Sequence, residues 1–284
     1  MIKAYYTLTK PGIIYGNALT AAGGFFLASR GIIDFRLFIA MLFGLSCIIG
    51  SACVFNNLLD RDIDAKMNRT KNRPLVTKII SVPHAFIFAI ILSILGSSIL
   101  GFYTNLLTLF IALLGLFFYV VVYGIAKRRT VHSTIIGCIS GAIPPVVGYC
   151  SVTNQFDLVA FLLFAILIFW QMPHFYAIGI FRREEYKAAG LPIWPLVKGM
   201  EDAKQKIVIY VVGFLVSVSL LAAFHFVGYV YLSVMLLIGF IWLVKGLRGL
   251  QLQKDIAWAR SMFFFSLIVI TAFSVMISVG PILP

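Results

Sequence analysis

The amino-acid sequence predicts an all-α, polytopic membrane protein in which nine transmembrane helices surround a central cavity that opens to the cytoplasmic face. Of its 284 residues, 61% are hydrophobic and only 12% are charged, about half the charged fraction of a typical soluble domain. Apolar runs such as residues 106–123 and 263–279 are long enough, at about 1.5 Å rise per residue, to cross a hydrocarbon core as helices.

These apolar runs divide the chain into nine predicted spans. They are residues 13–29, 37–56, 83–101, 106–124, 134–151, 157–178, 207–227, 229–244 and 262–280. Because the segments outside the membrane are short, we expect a single domain over residues 1–284.

The positive charges predict that the N-terminus lies in the cytoplasm and the C-terminus, Pro284, outside. Cytoplasmic loops are enriched in Lys and Arg, and 21 of the 23 such residues fall in segments that this topology places there, leaving only Arg30 and Arg36 on the other side. Basic loops beside an anionic leaflet explain the net charge of +13 without nucleic acid as a partner.

The two longest polar loops, residues 57–82 and 179–206, are both predicted to be cytoplasmic. They follow spans that are four apart in order, and each combines acidic residues with Lys and Arg. This pattern suggests two related halves, and we expect the functional site where the two loops meet.

The first of these loops contains three of the ten acidic residues of the chain. An EF-hand is excluded, because its sixth position requires Gly and its twelfth Glu, whereas Ala65 and Lys71 stand there. If the segment is the end of a helix, Asn56, Asp60 and Asp64 lie on one face at i, i+4 and i+8. Two carboxylates one turn apart repel each other unless a cation lies between them, and Mg²⁺ suits such oxygen ligands.

A basic run, Arg69, Lys71 and Arg73, follows the acidic residues directly. Mg²⁺ and guanidinium groups together bind diphosphates, so this segment indicates an amphiphile with a diphosphate head, such as an isoprenyl diphosphate. The alternative is that the acidic residues only form ion pairs at the membrane surface. We favour that alternative for Asp62, which points to another side of the helix.

Asn56-x-x-x-Asp60-x-x-x-Asp64 resembles the first acidic motif of the UbiA superfamily of intramembrane prenyltransferases. Within it, "DRDIDAKMNRTKNRPL", "VYGIAKRRT", "GAIPPVVGY", "WQMPHF" and "EEYKAAGLP" are similar to motifs of the protohaem IX farnesyltransferases (haem O synthases). The chain departs from that family at Glu184-Glu185, where Asp-Asp is frequent, and at Ile193, where Met is frequent. The second Asp-x-x-x-Asp motif of the superfamily is not reproduced.

The resemblance implies a Mg²⁺-dependent enzyme that transfers the farnesyl group of farnesyl diphosphate to a vinyl group of haem B. Addition of water then gives haem O, and diphosphate is released. It also implies a location in the bacterial cytoplasmic (inner) membrane. A haem-copper oxidase or haem A synthase is the expected downstream partner.

The residues and the resemblance together give four sets of candidate site residues. Catalytic candidates are Asp60, Asp64, Lys127 and Tyr123, the last two matching the family's Tyr-x-x-x-Lys pair. Diphosphate-binding candidates are Asn56, Arg69, Lys71, Arg73 and Arg128. Metal-binding candidates are Asp60, Asp64 and Asn56, with Glu184 and Glu185 as further carboxylates. Haem-binding candidates are His174, Gln171, Trp170, Arg182 and Arg183.

His174 is singled out because a histidine in a transmembrane segment is a functional candidate by default. Pro173 precedes it, and a proline can open a helix there. The alternatives are a hydrogen bond to a neighbouring helix for His174, ordinary packing for Trp170 and Gln171, and a topological role for Arg182 and Arg183.

Two rival functions share some of these features. One is a UbiA-type enzyme that prenylates a quinone-precursor aromatic, which would share the acidic motif but lack the "WQMPHF" run. The other is a transporter that uses the acidic residues for ion coupling. Transporter carboxylates are expected near the bilayer midplane, whereas Asp60, Asp64, Glu184 and Glu185 are predicted at one membrane surface, which disfavours the transporter.

Overall fold

The computed structural model describes residues 1–252 and 255–283, and this part of the chain folds into helices and loops without strands. Its long helices are α1 Pro11–Ser29, α2 Phe35–Leu59, α3 Val82–Tyr103, α4 Leu106–Arg129, α5 Ser133–Thr153, α6 Leu158–Phe181, α7 Met200–Ala223, α8 Tyr229–Gly249 and α9 Asp255–Val279. Shorter helices are Ile2–Leu8, Arg61–Asp64, Arg183–Ala188 and Trp194–Val197. The predicted all-α membrane fold is confirmed.

Every predicted span falls on one of these helices. In the described part of the chain, eight helices are long and apolar enough to cross a membrane. Of the nine long helices, α1 is not among these eight. It has 19 residues and nevertheless packs within the bundle against α5 and α9. The residue predicted to mark the outer end of the chain, Pro284, lies outside the described residues, as does Lys254 of the predicted cytoplasmic segments.

Side-chain caps explain where several helices begin. Asp34 accepts hydrogen bonds from two backbone N–H groups at the start of α2, and Asp157 does the same for α6. Ser81 and Asn105 each accept one at the starts of α3 and α4. Each such cap contributes about 1 kcal/mol to helix stability.

Helix α7 and the predicted seventh span, residues 207–227, differ at both ends. Helix α7 begins seven residues earlier, at Met200, because its charged first turn is neutralised: Lys204 Nζ lies 3.0 Å from Glu201 and 2.6 Å from Asp255 at the start of α9. The helix ends at Ala223, and His225 then adopts a left-handed conformation (φ 58°) that cannot continue an α-helix.

Pro173 does not open its helix. Helix α6 continues through it to Phe181. A proline in a helix interior removes one backbone hydrogen bond, and the packing of α6 against α7 and α9 on either side holds the helix together there.

The acidic motif keeps the predicted helical spacing across a helix boundary. Helix α2 ends at Leu59, and a separate turn, Arg61–Asp64, follows. The backbone N–H of Asp60 still donates to Asn56 O at 2.9 Å, and that of Asp64 to Asp60 O at 2.7 Å. These i to i−4 bonds keep the three side chains on one face.

The two predicted cytoplasmic loops meet, as expected. Ile63 and Met67 of the first loop form a buried apolar cluster with Ala189 of the second, and Leu191 packs against it. The cluster holds the acidic motif against the segment that follows α6.

Candidate functional site

A cavity of about 540 Å³ lies inside the bundle. Apolar residues of α1, α2, α4, α5, α6 and α9 form most of its wall, to which Tyr119, Tyr123, Lys127 and Tyr186 also belong. The first three of these belong to α4 and the last to the loop after α6. Lys127 also binds Asp60, so the part of the cavity at Lys127, called here its polar end, lies beside the acidic motif.

The two motif carboxylates that share a face are each bound by a cation. Lys127 Nζ donates to Asp60 Oδ2 at 2.5 Å and lies 2.5 Å from Oδ1. Arg73 Nη1 donates to Asp64 Oδ2 at 2.6 Å. Asp64 is only 2% exposed, and an ionised carboxylate at such depth requires a charged partner.

Asn56, the third member of that face, is bound by a residue from the start of the chain. Lys10 Nζ donates to Asn56 Oδ1 at 2.5 Å. Burial lowers the pKa of Lys10 to about 8, so the side chain remains mostly a cation at neutral pH. Three oxygen-bearing side chains of one helix face therefore contact three cations from three separate segments.

A tyrosine pair lies next to this charged cluster. A π-helical turn, Phe118–Val122, interrupts α4, and such turns are frequent at functional sites. The rings of Tyr119 and Tyr123 stack with centroids 5.7 Å apart, and Lys127 Nζ lies 5.3 Å from the Tyr123 ring centroid. Both rings line the cavity.

Asp62 faces away from this cluster, as predicted, although its partner was not foreseen. It binds Arg128 through two hydrogen bonds of 2.7 and 2.8 Å, and the bound guanidinium lowers the pKa of Asp62 to about 2. Arg128 also donates to Leu59 O. The pair ties the end of α4 to the end of α2.

The other predicted diphosphate-binding residues lie farther out. Arg69 is exposed, and its Nε is 3.9 Å from Glu185 Oε2 of the second loop. Lys71 is exposed and donates to Asn68. The structure thus brings Arg73, Lys127 and Lys10 to the acidic face, with Arg69 and Lys71 at the surface.

The second loop places its charged residues around the same region but outside the cavity wall. Glu185 also accepts a hydrogen bond from Arg182 at 2.7 Å. Glu184 and Arg183 are exposed. None of these four residues lines the cavity.

His174 lines the cavity and is held by α9. Its Nδ1 lies 2.7 Å from Ser266 Oγ, and its ring stacks on Trp170 (centroids 5.0 Å apart) and against Phe263 (4.9 Å). Because the Ser266 hydroxyl donates to Phe263 O, it accepts from His174 Nδ1–H. The lone pair of the imidazole is then on Nε2.

The two residues before Met172 also line the cavity. Trp170 Nε1 donates to Ser266 O at 2.7 Å, which fixes the indole against α9. Gln171 is buried, donates to Cys138 O and Leu167 O, and therefore links α6 to α5.

Sequence reasoning missed four residues at this site. Lys10 was assigned only a topological role, and Tyr119, Tyr186 and Ser266 were not singled out. Tyr119 is one helical turn before Tyr123, a spacing that could have indicated it. Burial raises the pKa of the Tyr186 phenol, which lines the cavity from the second loop.

The acidic face fits a metal that is completed by a substrate. No group of three or more His, Cys, Asp and Glu side chains gathers to hold a metal ion anywhere in residues 1–252 and 255–283. Asp60 Oδ1 is buried and receives no hydrogen bond within the described structure, despite the nearby ammonium. Two carboxylates and one amide oxygen suit Mg²⁺, which usually takes few protein ligands together with substrate phosphate oxygens.

Known proteins similar to this chain have been identified by sequence and by fold. The UbiA prenyltransferase family model matches residues 17–268. Protoheme IX farnesyltransferase of Protochlamydia amoebophila is 50% identical over 277 residues, covering 98% of both chains. That of Edwardsiella ictaluri is 49% identical over 280 residues, covering 98% of this chain and 95% of the relative.

Solved structures share the fold at low sequence identity. One reported for digeranylgeranylglyceryl phosphate synthase has a TM-score of 0.81 and 19% identity, covering 99% of this chain and 98% of that one. A UbiA homologue from Archaeoglobus fulgidus, bound to GPP and Mg²⁺, has a TM-score of 0.66 and 18% identity, covering 97% and 99%. From the family model and the curated relatives, the chain belongs to the UbiA prenyltransferase family.

Proposed function

We propose that this protein transfers the farnesyl group of farnesyl diphosphate to a vinyl group of haem B, with addition of water, to give haem O and diphosphate. The observation that carries the proposal is one cavity with a cationic end at Lys127 and an imidazole, His174, on its wall. Curated relatives about half identical over nearly the whole chain are protoheme IX farnesyltransferases.

The diphosphate of the substrate binds at the polar end. Asp60, Asp64 and Asn56 would hold Mg²⁺, which would supply Lewis-acid stabilisation of the leaving diphosphate. Lys127 and Arg73, released from their carboxylates, donate to diphosphate oxygens. A UbiA homologue from Archaeoglobus fulgidus bound to GPP and Mg²⁺ supports this choice of ion. Glu185 does not join Asp60 and Asp64 in a group of three carboxylates that could hold a metal among the described residues.

The farnesyl chain lies along the apolar wall. As the bond from C1 to the diphosphate oxygen breaks, positive charge develops at C1, and the stacked rings of Tyr119 and Tyr123 stabilise a cation by their π-faces. The terminal vinyl carbon of haem then bonds to C1. Water adds to the inner vinyl carbon and loses a proton, which leaves the hydroxyl group. The apolar wall keeps other water from the allylic cation.

The haem is bound against His174 on the cavity wall. With Nδ1–H donating to Ser266, the Nε2 lone pair is available to the haem iron, and Trp170 fixes the ring. Gln171 contributes to the pocket wall, and Arg182 and Arg183 pair with propionates at the rim.

The membrane orientation belongs to the same proposal. The acidic motif and both long loops face the cytoplasm of a bacterial inner membrane, with the N-terminus inside. Haem O then passes to a haem-copper oxidase or to haem A synthase.

The proposal is tested by incubating purified protein with farnesyl diphosphate, Mg²⁺ and haem B and measuring haem O by mass spectrometry. We expect haem O to form, and chelation of Mg²⁺ to abolish it. A parallel reaction with hydroxybenzoate as the acceptor tests the rival function, prenylation of a quinone-precursor aromatic. If prenylated hydroxybenzoate forms and haem O does not, the acceptor is the hydroxybenzoate and the proposal is wrong.

A further inference from the structure

Lys10 differs from the other cations of the site in having a neutral partner. Lys127 and Arg73 each bind a carboxylate, whereas Lys10 donates to the amide oxygen of Asn56 and forms no ion pair among the described residues. Transfer of an ammonium group out of water costs free energy, and a hydrogen bond to a neutral amide oxygen offsets only part of that cost. Such a cation remains available to an anionic ligand.

The Lys10 side chain is not needed to hold the N-terminal segment against α2. Leu8 is fully buried, and its carbonyl accepts a hydrogen bond from Asn57 Nδ2 at 2.8 Å, which already joins the N-terminal segment to α2. The backbone of Lys10 is left-handed, with φ 51°, a conformation that is unfavourable for a residue with a Cβ. Glycine would adopt this conformation more easily, so the backbone does not favour a lysine at this position.

The charges at the site also leave room for an anion. Asp60 and Asp64 supply two negative charges, and Lys10, Arg73 and Lys127 supply three positive ones. Arg128, 4.0 Å from Asp60 Oδ1, is balanced by its own partner Asp62. The cluster is therefore one charge positive before any ligand binds, and Lys10 is the cation without a carboxylate partner.

We propose that Lys10 is a diphosphate-binding residue, whose ammonium leaves Asn56 Oδ1 when the metal–diphosphate head binds and then donates to a diphosphate oxygen. This inference rests on the proposed function, because it assigns a further residue to the same substrate. It follows from the 2.5 Å contact: the ammonium stands where a metal would approach Asn56, so the metal displaces it toward the incoming anion.

Lys10 then acts in substrate binding rather than in positioning Asn56, and the two roles predict different losses. If Lys10 only positions Asn56, its loss should weaken metal binding both with and without a diphosphate. A diphosphate-binding residue would, when removed, weaken binding of the diphosphate and leave metal binding without it unchanged or stronger.

The test compares Lys10→Met, whose side chain is unbranched and uncharged, with Lys10→Arg. The matched control is Lys3→Met, at an exposed position of the short helix Ile2–Leu8. Two affinities are measured on each purified protein. One is for the unreactive analogue farnesyl thiolodiphosphate with Mg²⁺, by calorimetry. The other is for Mn²⁺ alone, by electron paramagnetic resonance.

We expect Lys10→Met to weaken analogue binding on the order of 10- to 100-fold, the range for loss of a charge-assisted hydrogen bond. Mn²⁺ affinity should not fall, Lys10→Arg should recover most of the loss, and Lys3→Met should bind as wild type. Equal analogue binding in Lys10→Met, or equal losses for Mn²⁺ and analogue, would overturn the inference.

Two safeguards keep the test decisive. If Lys10→Met does not fold, Lys10→Gln, with a polar side chain, takes its place with the same expected losses. If wild type binds the analogue but makes no haem O, the proposed acceptor is wrong while the assignment of Lys10 is still tested.

Discussion

The buried ion pair between Asp60 and Lys127 allows folding to be separated from catalysis. Lys127→Met removes the ammonium but keeps an unbranched side chain, so the Asp60 carboxylate loses its nearest counter-ion. The Asp60 and Lys127 side chains are 13% and 8% exposed. Breaking a buried pair costs about 3–5 kcal/mol. Because the Arg128 guanidinium remains 4.0 Å from Asp60 Oδ1 as a second cation, we expect about 3 kcal/mol, the lower end of that range.

The double variant Asp60→Asn/Lys127→Met removes both charges at once. It leaves no buried unpaired ion, so we expect it to regain at least roughly half of the stability lost in Lys127→Met. Neither protein should turn over, because one lacks the proposed diphosphate-binding cation and the other also lacks a proposed metal-binding carboxylate.

Thermal unfolding in detergent, followed by tryptophan fluorescence, measures both effects. A loss of about 3 kcal/mol should lower the midpoint by roughly 5–10 °C, and the double variant should melt between Lys127→Met and wild type. If the unfolding midpoint of Lys127→Met equals that of wild type, or if that of the double variant is lower than that of Lys127→Met, the two side chains do not form a buried pair.

The remaining predictions concern the acidic motif, the haem, the helix packing and the topology. Asp64→Ala should abolish haem O formation in a mass assay, whereas Asp62→Ala, whose side chain is 61% exposed, should keep at least about a tenth of the activity; equal losses would contradict the assignment. His174→Ala should shift or remove the Soret band of bound haem while farnesyl thiolodiphosphate binds normally in calorimetry; unaltered haem binding would exclude His174 as a haem ligand. Gly148→Leu should lower the melting temperature strongly, because any Cβ there would collide with a backbone carbonyl of α1; a wild-type midpoint would contradict that packing. Reporter fusions should place residues 57–82 in the cytoplasm; an external signal would invert the topology.

The sequence predicts most of the spans and the acidic face because both depend on local periodicity. Continuous apolar runs locate the helices, and the spacing of Asn56, Asp60 and Asp64 survives the helix end at Leu59 because the i to i−4 hydrogen bonds continue. These features require no knowledge of distant contacts.

What the sequence could not predict depends on contacts between distant segments. The start of α7 depends on an ion pair between Lys204 and Asp255, which are far apart in the chain. The continuity of α6 through Pro173 depends on neighbouring helices. The partner of Asp62 is Arg128, which no local pattern relates to it.

The central claim is that one cavity holds both the metal–diphosphate head and the haem, and a single spectroscopic measurement tests it. Protein loaded with Mn²⁺ and farnesyl thiolodiphosphate is titrated with ferric haem while the Mn²⁺ electron paramagnetic resonance signal is recorded. Because the two paramagnetic centres would share a cavity of about 540 Å³, we predict that the Mn²⁺ signal broadens in proportion to the haem bound. A Mn²⁺ signal that stays unchanged when haem binding is complete would contradict the claim.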